Sequence, residues 1–312
     1  MVIFLGTFAI SVGLLKSYGV ALMLGSPTIS GFATGAFYAR LDPNGRFRGA
    51  AASVAIVIAL SLGGSLSFAI EGLGCMVLFF PLFALPGILG SYIGFQAARA
   101  VPPARVDALI AMSVLSFFVL LGLERVNPLP PLVPPPVETS VEIDAPPERV
   151  WALLPSMDPM PPPDDWVFRY VRIAYPVGAT LRGAGVGAKR TCEFTTGPAL
   201  ETVDTWSPGH VLGFTIDSQP DPMTELTLYH TVRQPHLDGY VRNLRGELVL
   251  EALPGGRTRL TGRSWYKVQI APEVYARLWS DMFIHKIHER VLGVVKARAE
   301  GPPAKLMAVR ER

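Results

Sequence analysis

The sequence predicts two structural parts, an α-helical membrane domain and an α+β domain in which a curved antiparallel sheet surrounds a long carboxyl-terminal helix. Half of the 312 residues are hydrophobic, and long apolar runs dominate the chain before residue 125. A proline-rich stretch follows at 126–136. Beyond it, apolar and polar residues alternate as they do in half-buried strands. We therefore expect a membrane domain at 1–125, a linker at 126–136, a soluble domain at 137–300 and a tail at 301–312.

The charges are divided unevenly between the two parts. Residues 1–137 carry seven basic and four acidic side chains, whereas residues 138–312 carry 21 of each, so the net charge of +3 lies in the apolar part. A balanced soluble part gives no electrostatic footprint for nucleic acid, which we exclude as a partner. Cys75 and Cys192 lie one in each part and lack metal-ligand spacing. The sequence predicts no metal and no cofactor.

Four apolar segments are long enough to cross a bilayer, whose core of about 30 Å requires roughly 20 helical residues. They lie at about 17–38, 50–70, 73–97 and 107–123. Residues 1–14 are apolar but fewer, and they form either a short first helix or a signal peptide. No basic segment precedes them, which favours the helix. The sequence thus predicts four or five membrane helices, with five favoured, and the lipid bilayer as a partner.

Basic residues in the short breaks between these segments predict the orientation. Two breaks on one side carry arginines, namely Arg40, Arg46 and Arg48, and Arg99 and Arg105. The other side carries only Lys16 and Arg125. The positive-inside rule places the arginine-bearing breaks in the cytoplasm and the soluble domain on the outer face. The excess of arginine over lysine, against many Ala, Gly and Pro residues, is typical of a bacterial protein and predicts the cytoplasmic membrane.

Small residues at four-residue spacing mark contacts between helices. Gly31 and Gly35 form one such pair, and Gly90 and Gly94 form another. Packing within one chain is the favoured interpretation, and a seam between copies in a homo-oligomer is the alternative.

The soluble part reads as a strand, short helices, a meander of strands and one long helix. The first strand covers 137–144, and helices are predicted at 145–154 and 165–171. Later strands are predicted at 188–196, 200–206, 211–216, 225–234, 240–253 and 258–268. The final helix, at 272–299, has an apolar stripe that begins at Val274 and Leu278. This order of elements is typical of a helix-grip fold.

Four sequence segments carry a resemblance to a known family. They are VEIDAPPERVW at 141–151, GVGAKRTCEF at 185–194, ETVDTWSP at 201–208 and WSDMFIHKIH at 279–288. Through them, residues 137–299 resemble the START-like superfamily, also called SRPBCC, in its polyketide cyclase/dehydrase and lipid transport branch. The resemblance implies a hydrophobic pocket between sheet and long helix that takes a lipid-like ligand. It carries over no catalytic residue, and residues 1–125 resemble no family of known function.

Aromatic and polar residues on the predicted strands and long helix are the candidates to line such a cavity. We expect this lining to include Phe194, Trp206, Phe214, Tyr229, Tyr266, Met282 and His285. Strand parity places Arg190 and Cys192 on the same inward face as Phe194, and Thr258, Leu260 and Ser264 on the same inward face as Tyr266. Glu201 and Arg242 are candidate buried partners.

His285 and His288 lie three residues apart on the long helix, with Asp281 one turn earlier. A structural hydrogen bond between His285 and Asp281 is favoured over a polar cavity group, and both are favoured over a metal site. The glycines at 183–187 precede a strand, which excludes a dinucleotide loop.

No nucleophile motif occurs in the sequence, so catalysis is not predicted. The preferred hypothesis is a membrane-anchored domain that binds a hydrophobic small molecule. A tethered polyketide cyclase-like or hydrolytic enzyme, and a structural or assembly protein with a filled cavity, are the alternatives.

Overall fold

A computed structural model describes residues 2–67, 72–127, 134–226 and 239–301. The chain forms two compact units. The helical unit comprises Met1–Leu132, Glu225–Tyr240 and Gln269–Ala276. The sheet unit comprises Val133–Thr224, Val241–Val268 and Arg277–Arg312. Two short stretches of the predicted soluble domain therefore belong to the helical unit. The centre of the predicted linker and nearly all of the predicted tail lie outside the described residues.

The helical unit is built from apolar helices joined by short breaks. Helix α1 is Val2–Phe8 and continues as a π-helix at Ala9–Leu14. A second π-helix, Ala21–Gly25, continues directly into α2, Ser26–Leu41. The remaining helices of this unit are α3, Phe47–Ser67, α4, Leu73–Ala100, and α5, Pro103–Val126. Three helices among the described residues, α3, α4 and α5, are long and apolar enough to cross a membrane. The chain is also helical without a break over 20–41, although its hydrogen-bond pattern changes within that range.

The four spaced glycines bring α2 and α4 together within one chain. A Cβ added at any of them would collide with a backbone carbonyl group of the facing helix. A Cβ at Gly31 would meet the carbonyl of Gly87, one at Gly35 that of Ser91, one at Gly90 that of Thr28, and one at Gly94 that of Phe32. Only glycine permits so close an approach of two helix backbones. The intrachain interpretation accounts for all four positions, and association between copies stays a prediction.

The two later stretches of the helical unit are bonded to its helices. The Glu225 carboxylate accepts hydrogen bonds from the backbone N–H groups of Gly74 and Cys75, both at 3.1 Å. A negative charge is favourable at this position because it lies at the amino-terminal end of α4. The backbone N–H of Ala271 donates to the carbonyl of Tyr18 at 2.9 Å, and the Tyr275 hydroxyl donates to the carbonyl of Leu78. Residues near 225 and 271 are thus part of the helical bundle by their contacts.

The sheet unit contains one antiparallel sheet of seven strands in the order β1-β7-β6-β5-β4-β3-β2. Its strands are β1, Val137–Ile143, β2, Pro176–Arg182, β3, Lys189–Phe194, β4, Gly197–Ser207, β5, Val211–Ser218, β6, Val241–Leu253, and β7, Arg257–Val268. Helix α6 is Pro147–Trp151, a π-helix covers Val167–Val171, and α7 is Glu273–Glu300. Strand β2 is additional to the predicted elements. The predicted strand at 225–234 falls mostly outside the described residues, and its first two residues are not in a strand.

Helix α7 begins and ends within one residue of the prediction, but it buries a different stripe. Its buried residues are Ala276, Ser280, Ile284, His288, Leu292, Val295 and Ala299. Val274 and Leu278, where the predicted stripe begins, are 81% and 64% exposed. The predicted stripe is therefore wrong in its first half, because it followed apolar residues and passed over the Ala, Ser and His that face inward. The antiparallel sheet and its long terminal helix confirm the predicted helix-grip architecture.

Candidate functional site on the inner face of the sheet

We define the inner face of the sheet as the face that packs against α6 and α7. Its core joins apolar side chains from the strands to Val150 of α6 and to Leu292, Val295 and Ala299 of α7. The predicted parity is confirmed on two strands. Arg190 and Cys192 are buried on β3, and alternate residues of β7 from Thr258 to Tyr266 face inward.

Three of the predicted cavity residues lie on this inner face. Phe194, Trp206 and Phe214 pack against the core cluster but are only partly buried. The ring of Trp206 meets that of Trp151 of α6 edge to face, with the centroids 5.3 Å apart. The Phe214 ring covers Gly246 of β6, where a Cβ would collide with it. Aromatic side chains that face inward without full burial offer apolar surface to a small molecule.

The other predicted cavity residues are placed differently. Tyr266 is fully buried, and its hydroxyl donates to the Asp281 carboxylate of α7. Burial, and then Asp281, raise the pKa of Tyr266 above its usual range. Met282 is partly buried, and Tyr229 lies outside the described residues. His285 is exposed, and its Nδ1 lies 2.8 Å from the Thr139 hydroxyl rather than near Asp281.

A buried ion pair lies beside Phe214 on the inner face. Arg190 of β3 and Glu201 of β4 are directly opposite each other in the sheet, and each side chain is only 4% exposed. The guanidinium Nη1 donates to Glu201 Oε2, and Nε donates to the carbonyl oxygen of Pro155 at 3.2 Å. The guanidinium carbon also lies 4.9 Å from the centroid of the Phe214 ring. The predicted pairing of Glu201 with Arg242 is wrong, because Arg242 is exposed and the facing strand supplies Arg190.

Burial governs the protonation of this cluster. Burial raises the pKa of Glu201, and the charge of Arg190 offsets part of that effect. Burial opposes the charge of Arg190, but the Glu201 carboxylate outweighs it and the pKa of Arg190 is raised. Burial also raises the pKa of the Cys192 thiol to about 12, so this group stays protonated at neutral pH. The cluster therefore combines a guanidinium group, a carboxyl group whose pKa is raised and a protonated thiol.

His288 forms a second polar cluster, which the sequence analysis did not single out as a cavity group. Its Nε2 lies 2.8 Å from the Ser264 hydroxyl and its Nδ1 lies 3.1 Å from the Thr139 hydroxyl. The ring thus joins α7 to β7 and β1, and it packs over Gly262, where an added Cβ would be in ordinary van der Waals contact at 3.5 Å. Its position on the buried stripe of α7 was the signal available in the sequence.

The chemistry of His288 is limited by its surroundings. Burial, and then the neighbouring His285, lower the pKa of His288 to about 4. The contact with Ser264 has the spacing of a nucleophile and a base, but a histidine with so low a pKa is a weak base. Its second partner is a hydroxyl rather than an orienting carboxylate. Among the residues that the structure describes, no three metal-ligating side chains come together. These features favour a structural role for His288.

The opposite, outer face of the sheet carries a partly exposed ion-pair network. Arg245 of β6 donates two hydrogen bonds to the Asp204 carboxylate of β4, of 2.9 and 3.0 Å. Arg245 also pairs with Glu247 at 3.0 Å, and its guanidinium carbon lies 5.0 Å from the centroid of the Trp265 ring. The same sheet therefore holds an arginine–carboxylate pair on each face.

A family model supports the resemblance noted in the sequence. A family model described as polyketide cyclase/dehydrase and lipid transport matches residues 135–300. A search of curated proteins found no match. Similar solved structures include a protein from Nitrosospira multiformis, with 20% identity, a TM-score of 0.33 and coverage of 53% of this chain and 96% of that chain. XoxI from Bacillus cereus has 14% identity and a TM-score of 0.34, again over 53% and 96%. Truncated norcoclaurine synthase from Thalictrum flavum has 10% identity and a TM-score of 0.35, over 55% and 96%.

Proposed function

Because this chain belongs to the polyketide cyclase/dehydrase and lipid transport family through residues 135–300, we propose that it is a membrane-anchored protein whose helix-grip domain binds a lipid-like small molecule. The observation that carries the proposal is the group of inward, partly buried aromatic residues Phe194, Trp206 and Phe214. Apolar walls with a few polar groups are the usual lining of a small-molecule site.

Anchoring gives such a binding domain a physical advantage. A tethered domain meets ligands of the bilayer at a high effective concentration, because binding no longer requires free diffusion to the membrane. We propose that the helices at 20–41, α3, α4 and α5 each cross a bacterial cytoplasmic membrane. The shorter helical stretch at 2–14 is the proposed fifth membrane helix. In this topology the sheet unit lies on the outer side of the membrane.

A cysteine-labelling experiment tests the topology. Arg46→Cys places an exposed thiol in the break between α2 and α3, and Glu251→Cys places one on β6. A membrane-impermeant maleimide should label Glu251→Cys in intact cells and Arg46→Cys only after permeabilisation. The reverse pattern would place the sheet unit in the cytoplasm.

Ligand retention tests the binding function itself. The full chain, extracted in a mild detergent, should release an apolar molecule on organic extraction and carry the corresponding mass in native mass spectrometry. Phe214→Ala should reduce the retained amount, because it removes a wall of the proposed site. Trp265→Ala is the matched control, since it removes an aromatic side chain that stacks on Arg245 on the outer face. A wild-type chain that retains nothing and refuses added apolar probes would favour the structural or assembly alternative.

A further inference from the structure

The helical unit contains an internal repeat. Residues 27–46 and 86–105, which lie 59 positions apart, are identical at eight of 20 positions. The shared residues follow the pattern P-x-I-x-G-x3-G-x3-A-R-x2-P-x2-R. In the structure α2 ends at Leu41 and α4 ends at Ala100, which are corresponding positions of the two copies. The repeated sequence thus forms corresponding parts of α2 and α4 and the breaks that follow them.

The close contacts between α2 and α4 are reciprocal. Gly31 meets Gly87, and Gly35 meets Ser91, so the contacting positions increase together and the two helices run parallel. Exchanging the two copies of the repeat turns these contacts into the other two glycine contacts described above. A local two-fold axis between the parallel helices therefore relates the two copies.

One pair of repeated arginines joins the two copies. Arg40 Nη2 donates to the carbonyl oxygen of Pro103 at 2.8 Å, and Arg99 Nη2 donates to the carbonyl oxygen of Pro43 at 2.7 Å. Each arginine therefore binds the break that follows the other helix. Arg40 also pairs with Asp107 at 2.7 Å. Contacts within the chain explain why both copies have this arginine.

The other pair of repeated arginines, Arg46 and Arg105, has no such role. Both side chains are exposed, and neither has a hydrogen-bond or ion-pair partner among the residues that the structure describes. Arg46 directly precedes α3, and Arg105 lies in the first turn of α5. A positive charge at these positions opposes the helix dipole, so neither arginine stabilises its helix. Their presence in both copies indicates a partner outside the chain.

The orientation of the helices in a membrane does not account for this pair by itself. The positive-inside rule requires basic residues near the ends of the helices but does not fix their positions. Arg48 lies two residues beyond Arg46, yet the corresponding position of the second copy is Asp107. The repeat therefore retains two particular arginines rather than positive charge in general.

The chemistry of this end of the helical unit indicates an anionic partner. Residues 40–48 and 99–107 contain five arginines and two aspartates, a net charge of +3. An exposed guanidinium group binds phosphate through two parallel N–H···O bonds. Basic clusters at the ends of membrane helices lie at the level of the lipid headgroups, where they attract anionic phospholipids.

We propose that Arg46 and Arg105, one in each copy of the repeat, bind the phosphate groups of anionic phospholipids. This inference rests on the proposed membrane anchoring of the helical unit. The local two-fold axis gives two equivalent lipid sites, one beside the start of α3 and one beside the start of α5.

Counting bound lipids tests the two sites. The full chain in detergent is mixed with phosphatidylglycerol and phosphatidylcholine of identical acyl chains and measured by native mass spectrometry. Wild type should retain two molecules of phosphatidylglycerol, each preferred about fivefold over phosphatidylcholine. Arg46→Gln and Arg105→Gln should each remove one of the two, and the double variant should remove both. Arg48→Gln with Arg125→Gln is the matched control, because it removes two exposed arginines that the repeat does not retain, and it should keep both lipids.

Each outcome of this experiment decides a separate point. If the double variant fails to insert, the two single variants carry the test, and a loss from only one of them contradicts two equivalent sites. Equal retention of both lipids by wild type, or a loss in the control as large as in the double variant, refutes the lipid sites and leaves membrane anchoring intact. Displacement of the lipids by inorganic phosphate at the same concentration would assign the sites to a free anion. Release of wild type from membranes by alkaline carbonate without detergent would mean that the proposed anchoring itself fails.

Discussion

The two faces of one sheet hold arginine–carboxylate pairs that differ mainly in their access to water. On the inner face, Arg190 and Glu201 are each 4% exposed, whereas on the outer face Arg245 and Asp204 are 29% and 30% exposed. Burial opposes the charge of both carboxylates. Hydrogen bonds from Arg245, Thr205 and Thr215 outweigh burial at Asp204 and lower its pKa, while at Glu201 burial prevails and the pKa is raised. The exposure of each pair to water therefore determines how much free energy of unfolding is lost when one of its members is replaced.

Breaking the inner pair should have the largest effect on stability. Glu201→Leu leaves the Arg190 charge buried without a partner, and we expect a loss of about 3–5 kcal/mol in the free energy of unfolding. Asp204→Leu leaves Arg245 with Glu247 and with water, so its loss should be clearly smaller. Denaturant unfolding of the full chain in detergent, followed by tryptophan fluorescence, measures both. Equal losses of stability for the two variants would show that burial does not distinguish the inner pair from the outer pair.

The pH dependence of folding should report the buried His288. Its pKa is about 4 in the folded chain, against an ordinary value of 6.5. The unfolded chain therefore binds a proton first as the pH falls, and stability present above pH 6.5 is lost progressively toward pH 4, by up to about 3 kcal/mol. His288→Gln, compared with wild type in unfolding experiments across this pH range, should flatten the curve. An unchanged slope would show that His288 is solvated in solution.

The outer pair should contribute a modest amount that depends on salt. Exposed ion pairs are typically worth about 0.2–1 kcal/mol and are screened by added salt. Arg245→Gln should therefore lower stability by roughly 1 kcal/mol at low salt, and by less in 1 M salt. The same unfolding experiment at two salt concentrations measures the change. A loss that is large at both salt concentrations would place the outer pair in the same class as the inner one.

Removing both inner charges together should have the smallest effect on stability. Arg190→Met with Glu201→Leu eliminates the desolvation of two ions as well as their attraction, and we expect a stability within about 1 kcal/mol of wild type. Comparison with Glu201→Leu alone in the same unfolding experiment isolates the coupling between the two side chains. A loss as large as that of the single variant would mean that the pair itself stabilises the fold.

Local patterns in the sequence predicted the faces of the sheet but not the partners on them. Alternation along β3 and β7 correctly placed Arg190, Cys192 and Tyr266 inward, because parity depends only on neighbouring residues. The partner of Glu201 depends on the register between β3 and β4, which no single strand reveals, and the sequence therefore suggested Arg242 in error. The predicted apolar stripe of α7 failed at Val274 and Leu278 because the inward positions there are Ala276 and Ser280. Strand β2 was missed since Pro176 and Gly178 interrupt its alternation.

The two later stretches of the helical unit limit where this protein can be cut into separate domains. Glu225, Ala271 and Tyr275 belong by sequence to the part that matches the family, yet their hydrogen bonds are made with Gly74, Cys75, Tyr18 and Leu78. A boundary drawn at the proline-rich stretch would exchange each of these bonds for one with water. The part of the chain that matches the family is thus not structurally independent of these helices. Fusion of the family part to a different helical unit would have to supply a new acceptor for Ala271 and Tyr275 and a new helix end for Glu225.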